Sequence, residues 1–370
     1  MTRWLSLLLA VVGQAAIAAG QLPPARLQDI EQFISSEMSR QNIPGLSAAV
    51  AAAGEPVWSA GFGMADVENN VPAKARTVYR TASIAKVITA VAMMQLVEAG
   101  KVDLDTPIQR YVPSFPAKPW PITVRQLLCH QSGIRHYQQR EEIDSTRHYP
   151  DLLPALAQFQ NDPLVGEPGT IVRYSSYAYI LLGAAIEKVS SLRFMDYLRQ
   201  RVFSPAGMEF TRQDHHYSIV PNRARGYTLS RDGHLLNCAL ADTSNKVPAG
   251  GLLSTASDLI DFALALRRGG LLRAAYVDMM FQPARLKDGR KTDFGLGWKL
   301  TTIEGRRAAW HDGGQQGVST ILLLLPREGV AVALMCNLER ARLFELAARI
   351  AESLIDVVPL RNSTGARYVR

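Results

Sequence analysis

Thr81-Ala82-Ser83-Ile84-Ala85-Lys86-Val87-Ile88-Thr89-Ala90-Val91-Ala92-Met93-Met94 is the stretch on which the fold turns. The run continues to about Ala99 and stops at Gly100, the length and punctuation of a helix. Its apolar residues, Ile84, Val87, Ile88, Val91, Met93, Met94, Leu96 and Val97, occupy nearly every side. A helix apolar all round belongs in the centre of a protein. Ser83 at its start and Lys86 three residues on share one face, with Cβ atoms about 5–6 Å apart, within reach of a hydrogen bond. S-x-x-K alone says little, because serines cap helices and lysines decorate them. A lysine inside an apolar helix says more, since an unpaired buried charge is costly. Burial lowers a lysine pKa, which would let Lys86 take the Ser83 proton. The helix N-terminus adds partial positive charge and free N–H groups where an oxyanion would form.

Outward from this helix, the chain is strand-rich at both ends. Leu27 to Met38 carries apolar Leu27, Ile30, Phe33 and Ile34 at helical spacing, and Leu46–Ala53 and Val57–Gly63 read as two strands around a tight turn. A second strand block comprises Gly297–Ile303, Ala308–His311, Val318–Leu325 and Val330–Cys336, the last two joined by Pro326-Arg327-Glu328-Gly329. A terminal helix follows at about Ala341–Ile355, with Leu343, Leu346, Ile350 and Leu354 on one face. Strands at the two ends pair most simply in one sheet, with the middle inserted as a separate lobe. The expected class is α+β. An antiparallel sheet lobe (27–65 and 295–356), covered by the first and last helices, should face an all-helical lobe that carries the central helix (about 80–290). A cleft should form between them.

Composition bounds the rest. With 370 residues, 47% hydrophobic and 20% charged, the chain is neither collagen-like nor largely disordered. Its formal charge of +8 raises nucleic acid as a partner, yet the basic residues are scattered and no basic arm, zinc-finger or RNP pattern occurs, so none is expected. Met1-Thr2-Arg3, the apolar Trp4–Val12 and Ala16-Ile17-Ala18 read as a signal peptide over 1–18, ahead of a mature domain 19–370. The expectation is a periplasmic or secreted protein without a stable membrane anchor after cleavage; residues 357–370 read as a polar tail. Cys129, Cys238 and Cys336 are too few and too far apart for a disulfide framework and read as small hydrophobes. His130 with His136, and His215 with His216, lack a metal-site spacing, so no metal and no organic cofactor is expected.

Two further segments follow the Ser-Lys pair in order. Glu167-Pro168-Gly169-Thr170-Ile171-Val172-Arg173-Tyr174-Ser175-Ser176 is a turn and a tyrosine-bearing loop, and His311-Asp312-Gly313-Gly314 closes a strand with glycines. With Leu127-Leu128-Cys129-His130-Gln131-Ser132-Gly133-Ile134-Arg135-His136-Tyr137, Asn161-Asp162-Pro163-Leu164, Asn222-Arg223-Ala224-Arg225-Gly226-Tyr227 and Gly250-Gly251-Leu252-Leu253-Ser254-Thr255, the order resembles the β-lactamase-related serine hydrolases of class C type, the S12 peptidase group. Within that group the chain looks nearest to bacterial relatives of the mitochondrial serine β-lactamase-like protein.

The resemblance implies Ser83 as the acyl-accepting nucleophile, Lys86 as its base or proton relay, and Tyr174 as proton shuttle to the leaving group and the deacylating water. It implies an oxyanion hole from the backbone N–H groups of Ser83 and Gly314, and substrate contacts from Ser176, His311, Asp312 and Gly313. Two positions depart from the β-lactamase and cell-wall peptidase pattern: Tyr174-Ser175-Ser176 stands for Tyr-x-Asn, and His311-Asp312-Gly313 for Lys-Thr-Gly. The second replaces a fixed cation by a histidine largely neutral at pH 7. The resemblance thus implies peptide or ester substrates before β-lactams or D-Ala-D-Ala. Glu167 reads as an exposed turn carboxylate, and a Ser-His-Asp triad through His311 and Asp312 is excluded because neighbours on a strand point to opposite faces. The expected protein is an exported serine hydrolase with a small-molecule or peptide substrate. Its alternatives are a D,D-peptidase or weak β-lactamase, and a low-turnover scaffold that self-assembles.

Overall fold

The computed structural model describes residues 22–355, so the segments read as signal peptide and tail lie outside the described residues. Helix α1 (Pro24–Gln41) leads into a hairpin of β1 (Gly45–Ala52) and β2 (Glu55–Asp66). Its turn residues Ala53 and Gly54 both have positive φ, the geometry whose twist matches that of the flanking strands. Then come β3 (Val71–Pro72), β4 (Tyr79–Arg80) and the central helix α2 (Ile84–Glu98). The middle of the chain supplies α3 (Ser176–Ser190), the short strands β5 (Arg212–Gln213), β6 (Tyr227–Leu229), β7 (Leu235–Asn237) and β8 (Leu252–Ser254), and α4 (Ala256–Arg267). The chain ends with β9 (Lys299–Ile303), β10 (Arg306–Gln315), β11 (Val318–Leu325), β12 (Val330–Cys336) and α5 (Phe344–Ile355).

The two chain ends do share one sheet, in the order β3-β2-β1-β12-β11-β10-β9, with β1 and β12 antiparallel and Ala48 opposite Leu334. The α+β class follows. Ile321, Leu323 and Leu325 pack with Ile30, Ile34, Leu346, Ile350 and Leu354 of α1 and α5. Leu322 and Leu324 point the other way, into a core built around α2. Both faces of β11 and β12 are therefore buried, which is why their sequence is a continuous apolar run without alternation.

As expected, the first and last helices cover one face of the sheet, and the inserted segment covers the other, through α2 and α4, whose Leu259, Phe262 and Leu266 join the core with Ala49, Ala51 and Ala333. One expectation is corrected: the insertion is not all-helical, since β4, β8 and β5 form a three-stranded sheet and β6 pairs with β7. Strands of two or three residues are too short to show a period in sequence. The three-stranded sheet matters for position: Thr81 N donates to Leu252 O of β8 at 2.8 Å, while Thr81 O accepts from Thr320 Oγ1 of β11 at 2.9 Å. The chain entering α2 is thereby clamped between the lobes.

Candidate active site

Ser83 is the last residue before α2, and Ala82 just ahead of it is held at φ +45°, a left-handed conformation unusual for a residue with a side chain. The turn persists because its surroundings fix it. Gly313 of β10 lies so close that a Cβ there would sit 2.4 Å from Thr320 Oγ1, 2.7 Å from Thr81 O and 2.9 Å from Ala82 Cβ. Gly313→Ala should therefore push β10 off the turn that aims Ser83. The expected result is a loss of about 1–3 kcal/mol in a denaturant melt together with a fall in kcat. An alanine variant with wild-type stability and turnover would show that this approach is not needed.

Three side chains converge at the helix start. Lys86 Nζ lies 3.0 Å from Ser83 Oγ and donates to Ala249 O at 2.7 Å, and the Tyr174 hydroxyl donates to Ser83 Oγ at 2.8 Å. The Lys86 ammonium position is also 5.0 Å from the centroid of the Tyr174 ring. Lys86 is fully buried, and desolvation, aided by repulsion from Lys246, holds its pKa well below the ordinary lysine value. Burial pushes the Tyr174 phenol upward despite its bond to Ser83, so it remains a proton donor at neutral pH.

The Tyr174 loop is held by two histidines. His130 Nδ1 accepts from Ser175 N at 3.1 Å, its ring lies 4.4 Å from that of Tyr174, and His136 Nδ1 accepts from Ser176 N at 3.2 Å. Acceptance at Nδ1 requires neutral rings, and desolvation keeps them so, pulling His136 down to about 4 and His130 well below its usual value. Arg135, in the same segment, ties it down by pairing with Glu142 at 2.7 Å and Asp162 at 2.6 Å. Ser175 closes the arrangement: its hydroxyl accepts from Ala178 N, capping α3, and donates to Arg135 O. Three of the quoted sequence segments, 127–137, 161–164 and 167–176, thus serve to fix one tyrosine.

These groups open into a cavity of about 530 Å³ lined by Ser83, Tyr174, Ser176, Asp312, Gly314 and Lys246, among others. Ser83 N donates no hydrogen bond among the described residues, and the Cα of Gly314 faces open space. The four-residue segment 311–314 splits by strand alternation. Asp312 and Gly314 face the cavity, whereas His311 is 1% exposed and Gly313 is buried against the turn. The expected substrate contacts from His311 and Gly313 are corrected accordingly: their side of β10 faces the core. His311 Nδ1 lies 2.6 Å from Asp312 O, and burial with repulsion from Lys86 lowers its pKa to about 3. Asp312 pairs instead with Lys299 at 2.6 Å, an ion pair that outweighs desolvation and keeps the carboxylate ionised.

Sequence reasoning missed Lys246. It is 3% exposed, borders the cavity, donates to Ile143 O at 2.8 Å and is lowered to about 8 by desolvation and by Arg80. Its segment, Asp242-Thr243-Ser244-Asn245-Lys246, has neither helical nor strand periodicity, and only the step into Val247-Pro248-Ala249 hinted at burial. Glu167 pairs with Lys287 on the exterior, away from Ser83. The three cysteines are free, with burial raising Cys129 to about 12 and Cys336 to about 11, so neither is a thiolate nucleophile.

The sequence profile of the beta-lactamase family matches residues 30–355. This chain belongs to that family. It is 30% identical over 415 aligned positions to the human serine beta-lactamase-like protein LACTB, mitochondrial, covering 83% of this chain and 76% of the relative. Among solved structures, the octameric penicillin-binding protein homologue from Pyrococcus abyssi superposes with a TM-score of 0.78 at 25% identity, over 89% of this chain and 77% of that one. D-amino acid amidase from Ochrobactrum anthropi SV3, complexed with D-phenylalanine, gives 0.78 at 25% identity over 90% and 99%. The family is one of serine hydrolases, and Ser83 and Tyr174 line the cavity with Lys86 buried behind them.

Proposed function

We propose that the protein is an exported serine hydrolase that cleaves peptide, amide or ester bonds through an acyl-enzyme on Ser83. The observation that carries this reading is the double contact on Ser83 Oγ, from a buried Lys86 whose pKa desolvation holds well below the ordinary lysine value and from a protonated Tyr174 hydroxyl. In the reacting form the Ser83 proton passes to Lys86 Nζ as Oγ attacks the carbonyl carbon. The N–H groups of Ser83 and Gly314 receive the oxyanion. The leaving group takes its proton from Tyr174, whose phenolate is then reprotonated by the Lys86 ammonium beside it. The bond to the leaving group breaks, and a water activated along the same path releases the acid and frees Ser83.

Substrate class follows from what borders the cavity. His311 offers no cation at neutral pH, Lys299 is already paired with Asp312, and Ser176 stands where an amide-bearing side chain would grip a substrate amide. We therefore favour small amides, esters and short peptides. The test is turnover of a library of amino-acid amides, esters and internally quenched peptides, with Ser83→Ala as the blank. Incubation with benzylpenicillin followed by intact mass measurement should give little or no acyl adduct. A stoichiometric penicilloyl enzyme formed within minutes would move the reading to a D,D-peptidase.

Export rests on the pattern of residues 1–18, and N-terminal sequencing of the protein recovered from its native cells tests it. No helix among the described residues is long and apolar enough to cross a membrane. The scaffold alternative has one supporting observation, the octameric assembly of the Pyrococcus homologue. Light scattering of the purified chain, combined with its acylation and deacylation rates, separates an assembled enzyme from an assembled scaffold.

A further inference from the structure

We propose that His148, His216 and Asp242 form a binding site for a divalent transition metal of the zinc class, at the edge of a second cavity that His216 and Asp242 line with Arg80 and Thr146. The sequence gives no sign of it, because the three residues are spread over 95 positions in three separate loops and no pair has a metal-site spacing. The fold brings them together. His148 Nδ1 and His216 Nδ1 both lie 2.9 Å from the same oxygen, Asp242 Oδ2, and the three ligand atoms fall within 4.8 Å of one another.

The donor set and its supports suit such an ion. Two imidazoles and one carboxylate are a common set for zinc and its neighbours in the first transition row. In a tetrahedral shell with bonds of about 2.0–2.1 Å, neighbouring ligand atoms stand about 3.3 Å apart. The two histidine–aspartate contacts of 2.9 Å need only open by a few tenths of an ångström. Each ring then carries its proton on Nε2 and offers Nδ1 to the ion.

The outer contacts are those that orient a ligating group. Asp242 is 5% exposed, its other oxygen Oδ1 accepts from Ser244 N at 2.8 Å, and its own N–H is bonded to Ser145 O at 2.8 Å. His215 stacks on His216 with 11° between the ring planes, which steadies that imidazole. The two ligating rings remain more than a third exposed, so the remaining coordination positions open to water.

The place of the site gives it a consequence. Residues 143–149 run from Ile143, on the catalytic cavity wall, to His148, and residues 242–246 run from Asp242 to Lys246 on the same wall. The two strips are already stitched by Lys246 Nζ to Ile143 O and by Tyr149 N to Ser244 Oγ, both at 2.8 Å. An ion held by His148 and Asp242 would fasten them at a third point and stiffen that wall.

The test uses the full-length, untagged protein freed of metal by chelator. Titration with Zn²⁺ against a chromophoric competitor should give one equivalent bound at micromolar or lower free concentration, and Co²⁺ should give the intense visible absorption of a tetrahedral site. His148→Gln and His216→Gln, both on exposed rings, should each weaken binding at least about tenfold while circular dichroism stays unchanged. His234→Ala, at an exposed histidine outside the cluster, should leave the titration as it was. Absence of binding, or an equivalent that survives both glutamine variants, would overturn the site and leave a hydrogen-bonded His-Asp-His cluster. Binding is read independently of hydrolysis, so the outcome stands whatever becomes of the proposed activity.

Discussion

Ser83→Ala is expected to abolish turnover, to about the uncatalysed level plus what binding and the oxyanion donors retain, and to erase labelling by a fluorophosphonate probe. Ser83 Oγ, the proposed nucleophile, is the atom on which the arrangement converges: Lys86 Nζ at 3.0 Å, the Tyr174 hydroxyl at 2.8 Å, and a left-handed Ala82 just ahead of it. Residues that act as one unit lose nearly all their effect when any member is removed, so the loss should be of the order of 10⁴-fold or more in kcat. Stability should hardly change, because Ser83 Oγ caps no helical N–H and the alanine methyl fits the vacated space. Mass spectrometry of the probe-treated protein should place the adduct on the peptide containing Ser83. Retained turnover in the variant would sink the acyl-enzyme reading at once.

Lys86→Met is the second large effect, and it separates catalysis from stability. Without the amine no group within reach of Ser83 Oγ accepts its proton, since Tyr174 is held protonated by burial, so kcat/KM should fall about 10³–10⁴-fold. In the wild type kcat/KM should rise with pH through the lowered Lys86 pKa, as the amine loses its proton, and that limb should be absent from the variant's residual rate.

The stability readout has a definite sign. In the unfolded chain Lys86 binds a proton up to about pH 10.4, whereas in the fold it releases that proton at a lower pH. Between these two values the unfolded state holds more protons, so wild-type stability gains on that of Lys86→Met as pH rises, by up to about 1.4 kcal/mol per pH unit. Chemical denaturation of both proteins from pH 6 to pH 10 measures the difference. A difference that stays flat across this range would mean that Lys86 is charged in the fold and is not the base.

Some of this was legible before any coordinates. The helical period and apolar completeness of 84–97 require a central helix, and a lysine placed in it requires a partner at its own start, so Ser83 and Lys86 follow from local chemistry. The strand blocks at the two ends and their shared sheet follow from pattern and from the economy of antiparallel pairing. Tyr174 entered through the order of motifs rather than through any local signal. Its loop has no periodicity, and what fixes it, His130, His136 and Arg135, acts from some 40 residues away.

What tertiary structure alone decided is where side chains from distant segments meet. Alternation along β10 sends Asp312 and Gly314 to the cavity and His311 and Gly313 to the core, a division the strand pattern allows but whose direction only the covering of each face sets. Lys246 ends a single 3-10 turn and the His148, His216 and Asp242 cluster lies in loops, where nothing periodic links sequence spacing to distance. The elements and the pairing of Ser83 with Lys86, the proposed nucleophile and base, were readable from sequence because both rest on interactions within a few residues. Lys246 reaches Ile143 across 103 residues and His148 reaches Asp242 across 94, and such contacts exist only once the chain has folded back on itself.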